Sequence, residues 1–293
     1  MSIRYLYQKA FLFIDENMLM PNRFNILLFA SILSLSLLIS PSLLTVSRAQ
    51  NNTTDLPGNS SNMHAVNATN NITKMALVGD ISGTTIRDSI KERNPDLVVA
   101  LGDLGYKSTL SAFKKDYGIF NLKCLVGNHD AAEDAGGDPI VKEAPAYCGD
   151  WWNVKVGNAT MLFGFNTNGD LNNQLVAAKN VSLQGIKNLF VMAHKPCYTS
   201  PNSHHPVEPN VKSFCDSLAS SIPAGIKVYY IAGHNHQLAS TVDGTKFLSG
   251  GGGRSHYDCG TDTLWNFCDN KNYGFLEITF NTNNSNITAN FIK

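Results

Sequence analysis

Aspartate, asparagine and histidine stand in this sequence directly after short apolar runs, where they can act as ligands for a cation. Met75 to Val78 is followed by Gly79-Asp80, and Leu97 to Leu101 by Gly102-Asp103. Cys124 to Val126 is followed by Gly127-Asn128-His129-Asp130, Leu189 to Ala193 by His194, and Val228 to Ala232 by Gly233-His234-Asn235-His236. A Gly-Asp pair after a strand is usually a turn or a helix cap, and a lone histidine such as His194 is usually one that has found a hydrogen bond. Two imidazoles at i and i+2 behind a buried run are a poor packing choice and point to chemistry. The ordered set, with an oxygen or imidazole ligand after every run, carries the weight.

Such groups can meet only if the runs are strands whose carboxyl ends share one edge, as they do in α/β sheets. Each preceding glycine lets the backbone turn sharply there. From Lys74 onward apolar runs alternate with amphipathic stretches, the pattern of strands and helices taking turns. The spacing predicts a strand over 75–78, a helix over 84–93 and a strand over 97–101, a βαβ unit with a parallel pair. A helix over 110–117 and a strand over 124–126 follow. Trp152 to Val156 and Thr160 to Phe165 flank Gly157-Asn158 as a hairpin. Helices over 171–178 and 211–220, strands over 189–193 and 227–232, and two antiparallel strands over 274–280 and 286–292 complete the expectation. The fold class read from this order is α/β: a two-sheet β-sandwich flanked by helices, in one domain.

Taken together, Asp80, Gly102-Asp103, Gly127-Asn128-His129-Asp130, His194 and Gly233-His234-Asn235-His236 resemble the five ordered motifs of the calcineurin-like metallophosphoesterases. The resemblance implies their four-layer αββα fold and a pair of metal ions. In most of that superfamily the first motif is Asp-x-His, whereas here it is Asp80-Ile81-Ser82, so one ligand is missing. Gly102-Asp103-Leu104-Gly105-Tyr106 resembles the Gly-Asp-x-x-Tyr motif of purple acid phosphatases, and Val191-Met192-Ala193-His194 resembles their Val-x-x-His. Ser82 replaces the glycine usual in that subgroup. Carried over residue by residue, the resemblance implies one metal on Asp80, Tyr106 and His236, a second on Asn128, His194 and His234, and Asp103 bridging them.

Hard oxygen donors and a phenolate suit a trivalent ion, while imidazoles and an amide suit a divalent one. The implied cofactors are Fe(III) with Fe(II), Zn(II) or Mn(II). The implied reaction is hydrolysis of phosphate monoesters by metal-activated hydroxide, with no protein nucleophile. His129 would steady the phosphoryl group or protonate the leaving oxygen, and Asp130 would orient it or form the turn. His204 and His205, on a loop with Pro201 and Pro206, lie near where related phosphatases place a substrate-side histidine, or are solvated loop histidines. A phosphodiesterase or nucleotidase on the same metals, and a binding scaffold without metals, are the rival readings. Gly250 to Gly253 before Arg254 lack the lysine and spacing of a P-loop and read as a tight turn at a strand end; His256 has no partner motif, and Trp151-Trp152 read as core.

The flanks bear on location. No charged residue occurs from Phe24 to Ser47, a largely apolar stretch between Arg23 and Arg48. Residues 1–49 are therefore expected to be a signal peptide cut after Ala49, or an N-terminal membrane anchor if uncleaved, with Met18 or Met20 as alternative starts. Residues 50–73 are rich in Asn, Ser and Thr and read as a flexible linker, leaving 74–293 as the catalytic domain. Sequons at Asn52, Asn59, Asn67, Asn71, Asn158, Asn180 and Asn286 suit a glycosylated exported protein. The six cysteines show no Cys-x-x-Cys spacing and favour disulfides. Sequence proximity suggests Cys259 with Cys268, Cys197 with Cys215 and Cys124 with Cys148. Lys+Arg and Asp+Glu balance at 23 each, so a small phosphorylated substrate is the expected partner rather than nucleic acid.

Overall fold

Apolar strands that read as continuous runs should be covered on both faces, and the computed structural model has that arrangement. It describes residues 72–106, 109–131, 143–260, 263–281 and 285–293. The segment 1–49, residues 50–71 of the linker and the sequons at Asn52, Asn59, Asn67 and Asn71 lie outside the described residues.

The elements run β1 Lys74–Val78, α1 Arg87–Arg93, β2 Leu97–Ala100, α2 Leu110–Tyr117, β3 Leu122–Cys124, α3 Ala144–Cys148, β4 Trp151–Val156 and β5 Thr160–Phe165. They continue with α4 Leu171–Lys179, β6 Asn188–Ala193, α5 Pro209–Ala219, β7 Lys227–Ala232, β8 Leu238–Ser240, β9 Lys246–Ser249, β10 Phe267–Asp269, β11 Phe275–Phe280 and β12 Ile287–Ile292. Local chemistry sets several ends. Thr109 caps α2 by accepting from Ala112 N–H, and Asp170 caps α4 by accepting from Asn172 and Asn173 N–H. Asn94 closes α1 in the left-handed conformation ahead of Pro95.

Two mixed sheets result. The five-stranded sheet has the order β12-β11-β1-β2-β3, with β1, β2 and β3 parallel. The seven-stranded sheet has the order β10-β8-β9-β7-β6-β5-β4, with β5, β6, β7 and β9 parallel. Strand alternation then sorts the side chains into layers. Met75, Leu77, Leu97, Val99, Leu276 and Ile278 meet Leu162, Phe190, Met192, Tyr229 and Ile231 between the sheets. Phe190 stacks on Tyr229 at 4.7 Å and meets Phe280 edge-on at 5.7 Å. The alternate residues Ala76, Val78, Val98 and Ala100 pack under α1 and α2, while Met161, Phe163 and Val191 pack under α5. Helices thus flank a sandwich of two sheets.

Covalent and ionic ties fix the outer layers. Cys124–Cys148, Cys197–Cys215 and Cys259–Cys268 are disulfide-bonded, the pairing that proximity suggested. Arg93, at the end of α1, holds Glu277 of β11 with two bonds, Nε to Oε2 at 2.8 Å and Nη2 to Oε1 at 2.6 Å. Glu277 accepts this charge pairing on the helix-facing side of the sheet, where it is 4% exposed.

Several boundaries depart from expectation. The helix expected from Thr84 begins at Arg87, after a run of turns, and the strand expected over 124–126 is β3 over 122–124. Leu125 and Val126 are buried beyond the strand's end, Leu125 N–H giving a last bond to the Ala100 carbonyl at 2.8 Å before the chain turns to Asn128. The short α3, β8, β9 and β10 were not anticipated. Ile72 is buried in the intersheet core and Thr73 donates twice to Asp96 Oδ2, so the packed chain takes in the last two residues assigned to the linker. Among the described residues no helix is long and apolar enough to cross a membrane.

Candidate metal centre

Every ligand-bearing strand end reaches the same edge of the sandwich, and the two sheets are stitched together there. Gly79 N–H, just past β1, donates to the Ser249 carbonyl at the end of β9, and Ser249 Oγ donates back to the Leu77 carbonyl, both at 2.8 Å. Asp80 Oδ2 accepts from His234 N–H at 2.8 Å, and His194 Nδ1 donates to the Leu101 carbonyl at 2.9 Å. Each of these bonds joins one sheet to the other.

The backbone is bent for the purpose. Asp80, Asp103, His234 and His236 have φ of 58°, 52°, 71° and 45°, and they make up four of the six non-glycine residues with positive φ among those described. Such left-handed residues cost about 1–3 kcal/mol each and cluster at functional sites. Approach is close enough that Gly127 is obligatory: a β-carbon there would collide with Asp103 Oδ1 and its backbone nitrogen.

The polar atoms converge as a donor set would. One ligand atom from each of Asp80, Asp103 and His236 lies within 4.8 Å of the others. The Tyr106 hydroxyl sits 2.7 Å from Asp103 Oδ2, 3.2 Å from Asp80 Oδ1 and 2.9 Å from His236 Nε2. One phenolic proton cannot serve three acceptors. His194, whose Nδ1 is committed to Leu101, turns the Nε2 lone pair toward Asn128 Oδ1 at 2.9 Å and His234 Nδ1 at 3.2 Å. His236 donates Nδ1–H to the Ser255 carbonyl at 2.7 Å and likewise turns Nε2 inward. A ring nitrogen tied to a carbonyl, with its opposite lone pair free, is the usual posture of a metal-bound histidine. These residues therefore fit cations.

The electrostatics agree. Burial pushes the Asp103 carboxyl up to about 7, with the Asp80 charge adding to it. Burial likewise opposes the Asp80 charge, but the hydrogen bond and charge of His236 outweigh it and hold Asp80 below its ordinary value. His236 is raised on balance: burial lowers it, and its bond to Asp80 and the Asp80 charge more than compensate. Burial drives His194 and His234 down, so both offer neutral nitrogen. Burial, then Asp80 and Asp103, raise Tyr106. Negative charge packed this tightly calls for positive charge among it, and a bound cation reverses these shifts.

Asp80, Asp103, Tyr106, Asn128, His194, His234 and His236 thus occupy one cluster. His129 is half-buried at its margin, ring centroid 4.6 Å from that of Tyr106, and its N–H donates to Asp103 Oδ1. Asp130 is buried behind it, accepting from Leu104 N–H at 3.0 Å and Gly127 N–H at 2.9 Å, which clasps the two ligand loops together. Burial and then the Asp103 charge push its carboxyl up to about 7. His204 is exposed and stacks on Tyr257 at 3.9 Å, whereas His205 stacks directly on His234 at 4.0 Å. Asn235 grips the His205 backbone at both N–H and carbonyl.

Two neighbours escaped the sequence reading. Tyr257 lies flat on His236 at 4.2 Å, and the Arg254 guanidinium carbon lies 4.4 Å from the centroid of the Tyr106 ring. Only the glycine run before Arg254 marked that loop.

The family model for calcineurin-like phosphoesterases matches residues 74–238. No curated protein sequence matches the chain. Among solved structures, the fold is similar to the purple acid phosphatase PPD1 from yellow lupin (Lupinus luteus) seeds, with TM-score 0.54 and 16% identity over 76% of this chain and 52% of that one. This chain therefore spans about half the length of the lupin protein. The fold is also similar to GAP50, the anchor in the inner membrane complex of Plasmodium, with TM-score 0.51 and 16% identity over 75% of this chain and 84% of that one. At such identity these are likenesses of fold. The family match spans over half of the 293 residues and takes in every strand end that feeds the cluster, so this chain belongs to the calcineurin-like phosphoesterases.

Proposed function

We propose that the chain is an exported phosphoesterase with a dinuclear metal centre that hydrolyses small phosphate monoesters. The observation that carries this reading is the convergence of oxygen and nitrogen donors from both sheets on one edge, more acceptors than the available protons can satisfy. Asp80, Tyr106 and His236 would hold one ion and Asn128, His194 and His234 the other, with Asp103 shared between them. The phenol of Tyr106 among carboxylates suits Fe(III) in the first place, and the neutral imidazoles suit Fe(II), Zn(II) or Mn(II) in the second. Bound cations would supply Lewis-acid polarisation of the phosphoryl group and an acidified water.

The chain's own residues do the rest. Asp103 and Asp80 set the charge that the ions neutralise. His129, half-buried beside Tyr106, holds a proton at the leaving oxygen, and its loop is fixed by the bond from its N–H to Asp103 and by the Asp130 clasp. His205 covers His234 from the other side; burial, and then His204, push it down to about 4, so it faces substrate as a neutral imidazole. His204, one ring further out, is left to contact the departing group.

Export is supported by three disulfides and by the sequons at Asn158, Asn180 and Asn286, all of which are exposed. Residues 1–49 would act as the signal or anchor.

The test is metal analysis of the purified protein together with phosphate release from p-nitrophenyl phosphate and its bis ester. Two ions per chain and faster monoester hydrolysis are expected, with visible phenolate-to-iron absorption if iron fills the first place. Protein that binds no metal and releases no phosphate would sink the reading. In His129→Ala, turnover of a monoester with a poor leaving group should fall about 10²-fold, with metal content kept.

A further inference from the structure

The glycine turn after β9 ends in a cation that the proposed reaction has not yet used. Gly252 N–H donates to the Gly79 carbonyl at 3.1 Å, Ser82 N–H donates to the Gly252 carbonyl at 3.0 Å, and Gly253 pairs with Ile81. One residue further on, the Ser255 carbonyl accepts from His236. Arg254 therefore sits between a segment strapped to the Asp80 turn and one bonded to His236. Its side chain is exposed, its guanidinium lies over the Tyr106 ring at 4.4 Å, and no carboxylate pairs with it among the described residues. The position is also outside the residues matched by the family model, 74–238.

We propose that Arg254 is a substrate-recognition residue whose guanidinium binds the phosphoryl group presented to the metal centre and favours phosphate monoesters over diesters. A guanidinium held over an aromatic ring with no carboxylate beside it keeps N–H donors to spend, and its planar fork matches two phosphoryl oxygens. A competing carboxylate would hold the fork shut. A monoester offers a doubly charged group with three unesterified oxygens, whereas a diester offers one charge and two such oxygens, so the same cation gains more from the monoester. This inference rests on the phosphoesterase reading and refines its substrate class.

Metal-loaded full-length protein, its Arg254→Ala variant and its Arg254→Lys variant would be compared by calorimetric titration with inorganic phosphate and by kinetics with p-nitrophenyl phosphate and the bis ester. In Arg254→Ala, phosphate affinity should weaken about 10- to 100-fold, the worth of charge-assisted hydrogen bonds. The monoester KM should rise in proportion, the diester KM should move less than about threefold, and metal content should hold. Arg254→Lys should recover part of the loss. Phosphate affinity in Arg254→Ala within about twofold of the parent overturns the proposal. So does loss of metal at unchanged phosphate affinity per loaded site, which would mean the cation only braces Tyr106. A parent that binds phosphate but hydrolyses neither ester fails the phosphomonoesterase reading while the phosphate titrations still judge Arg254. A parent that binds no phosphate ends the Arg254 proposal directly.

Discussion

The two sheets bring different chemistry to their common edge. The five-stranded sheet carries Asp80, Asp103, Tyr106 and Asn128, all oxygen donors, while the seven-stranded sheet carries His194, His234 and His236, all nitrogen donors. Neither sheet holds a complete centre. Each orients the other's ligands: His234 N–H reaches Asp80, His194 leans on Leu101, and Ser249 bonds Gly79 and Leu77 across the seam. The lesson is that donor spacing is set by how the sheets pack, so the aromatic layer around Phe190 belongs to the site as much as to the core.

Asp103 offers the hardest blow to that division, since its carboxylate faces Tyr106 on its own sheet and His194 on the other. Asp103→Ala should lose bound metal and, with the activated water gone, about 10³-fold or more in turnover. Mass spectrometry for metal and a phosphate assay check it; a variant that keeps both would show that no ligand is shared. Next in size, Phe190→Ala should cost about 3–5 kcal/mol in denaturant unfolding and weaken metal binding with it. If stability falls and metal affinity does not, packing and donor spacing are independent.

Away from the seam, Glu277→Gln should cost about 1–2 kcal/mol at neutral pH without touching metal content, the low end for a charged hydrogen bond because Arg93 is 44% exposed. The Arg93 bond holds Glu277 below its ordinary value despite burial. A lowered carboxyl contributes stability above its unfolded pKa, about 4.3, and loses it as pH falls further. The gap between parent and variant should therefore close below about pH 4. The last effect has the opposite sign. Asp103 and Asp130, raised to about 7 chiefly by burial, hold protons more tightly folded than unfolded. Their share of the chelated protein's stability falls as pH rises from about 4 to 7, against the opposite share of His194, His205 and His234, whose burial-lowered values favour the fold as pH rises towards about 6.5; Asp130→Asn should remove part of the falling share, read as about 2–4 °C in Tm per kcal/mol. Metal-loaded protein should not follow it, and parallel melting curves would refute the link.

Much of this was legible in the chain. Strands buried on both faces print as unbroken apolar runs, and the candidate ligands announce themselves by standing just past the ends of β1, β2, β6 and β7. The sequence placed one strand at 124–126, but the ladder ends with the Leu125 N–H bond to the Ala100 carbonyl and Val126 accepts from the Asn168 side chain instead, and burial alone cannot distinguish a strand from the loop that leaves it. The strands β8 and β10 are three residues each, too short for a period to register. His205 was legible only as one of a pair on its loop, and Tyr257 and Arg254 have no local signature, because their nearness to His234, His236 and Tyr106 is created by the meeting of distant loops.

The left-handed backbone at Asp80, Asp103, His234 and His236 has a consequence for descent. These positions are held in a shape that glycine or asparagine would adopt more comfortably, and the proposed duty of ligation would justify the discomfort. A lineage released from that duty would find relief in such replacements, becoming sturdier as it became inert. Its history would be written at these four positions before anywhere else in the sandwich.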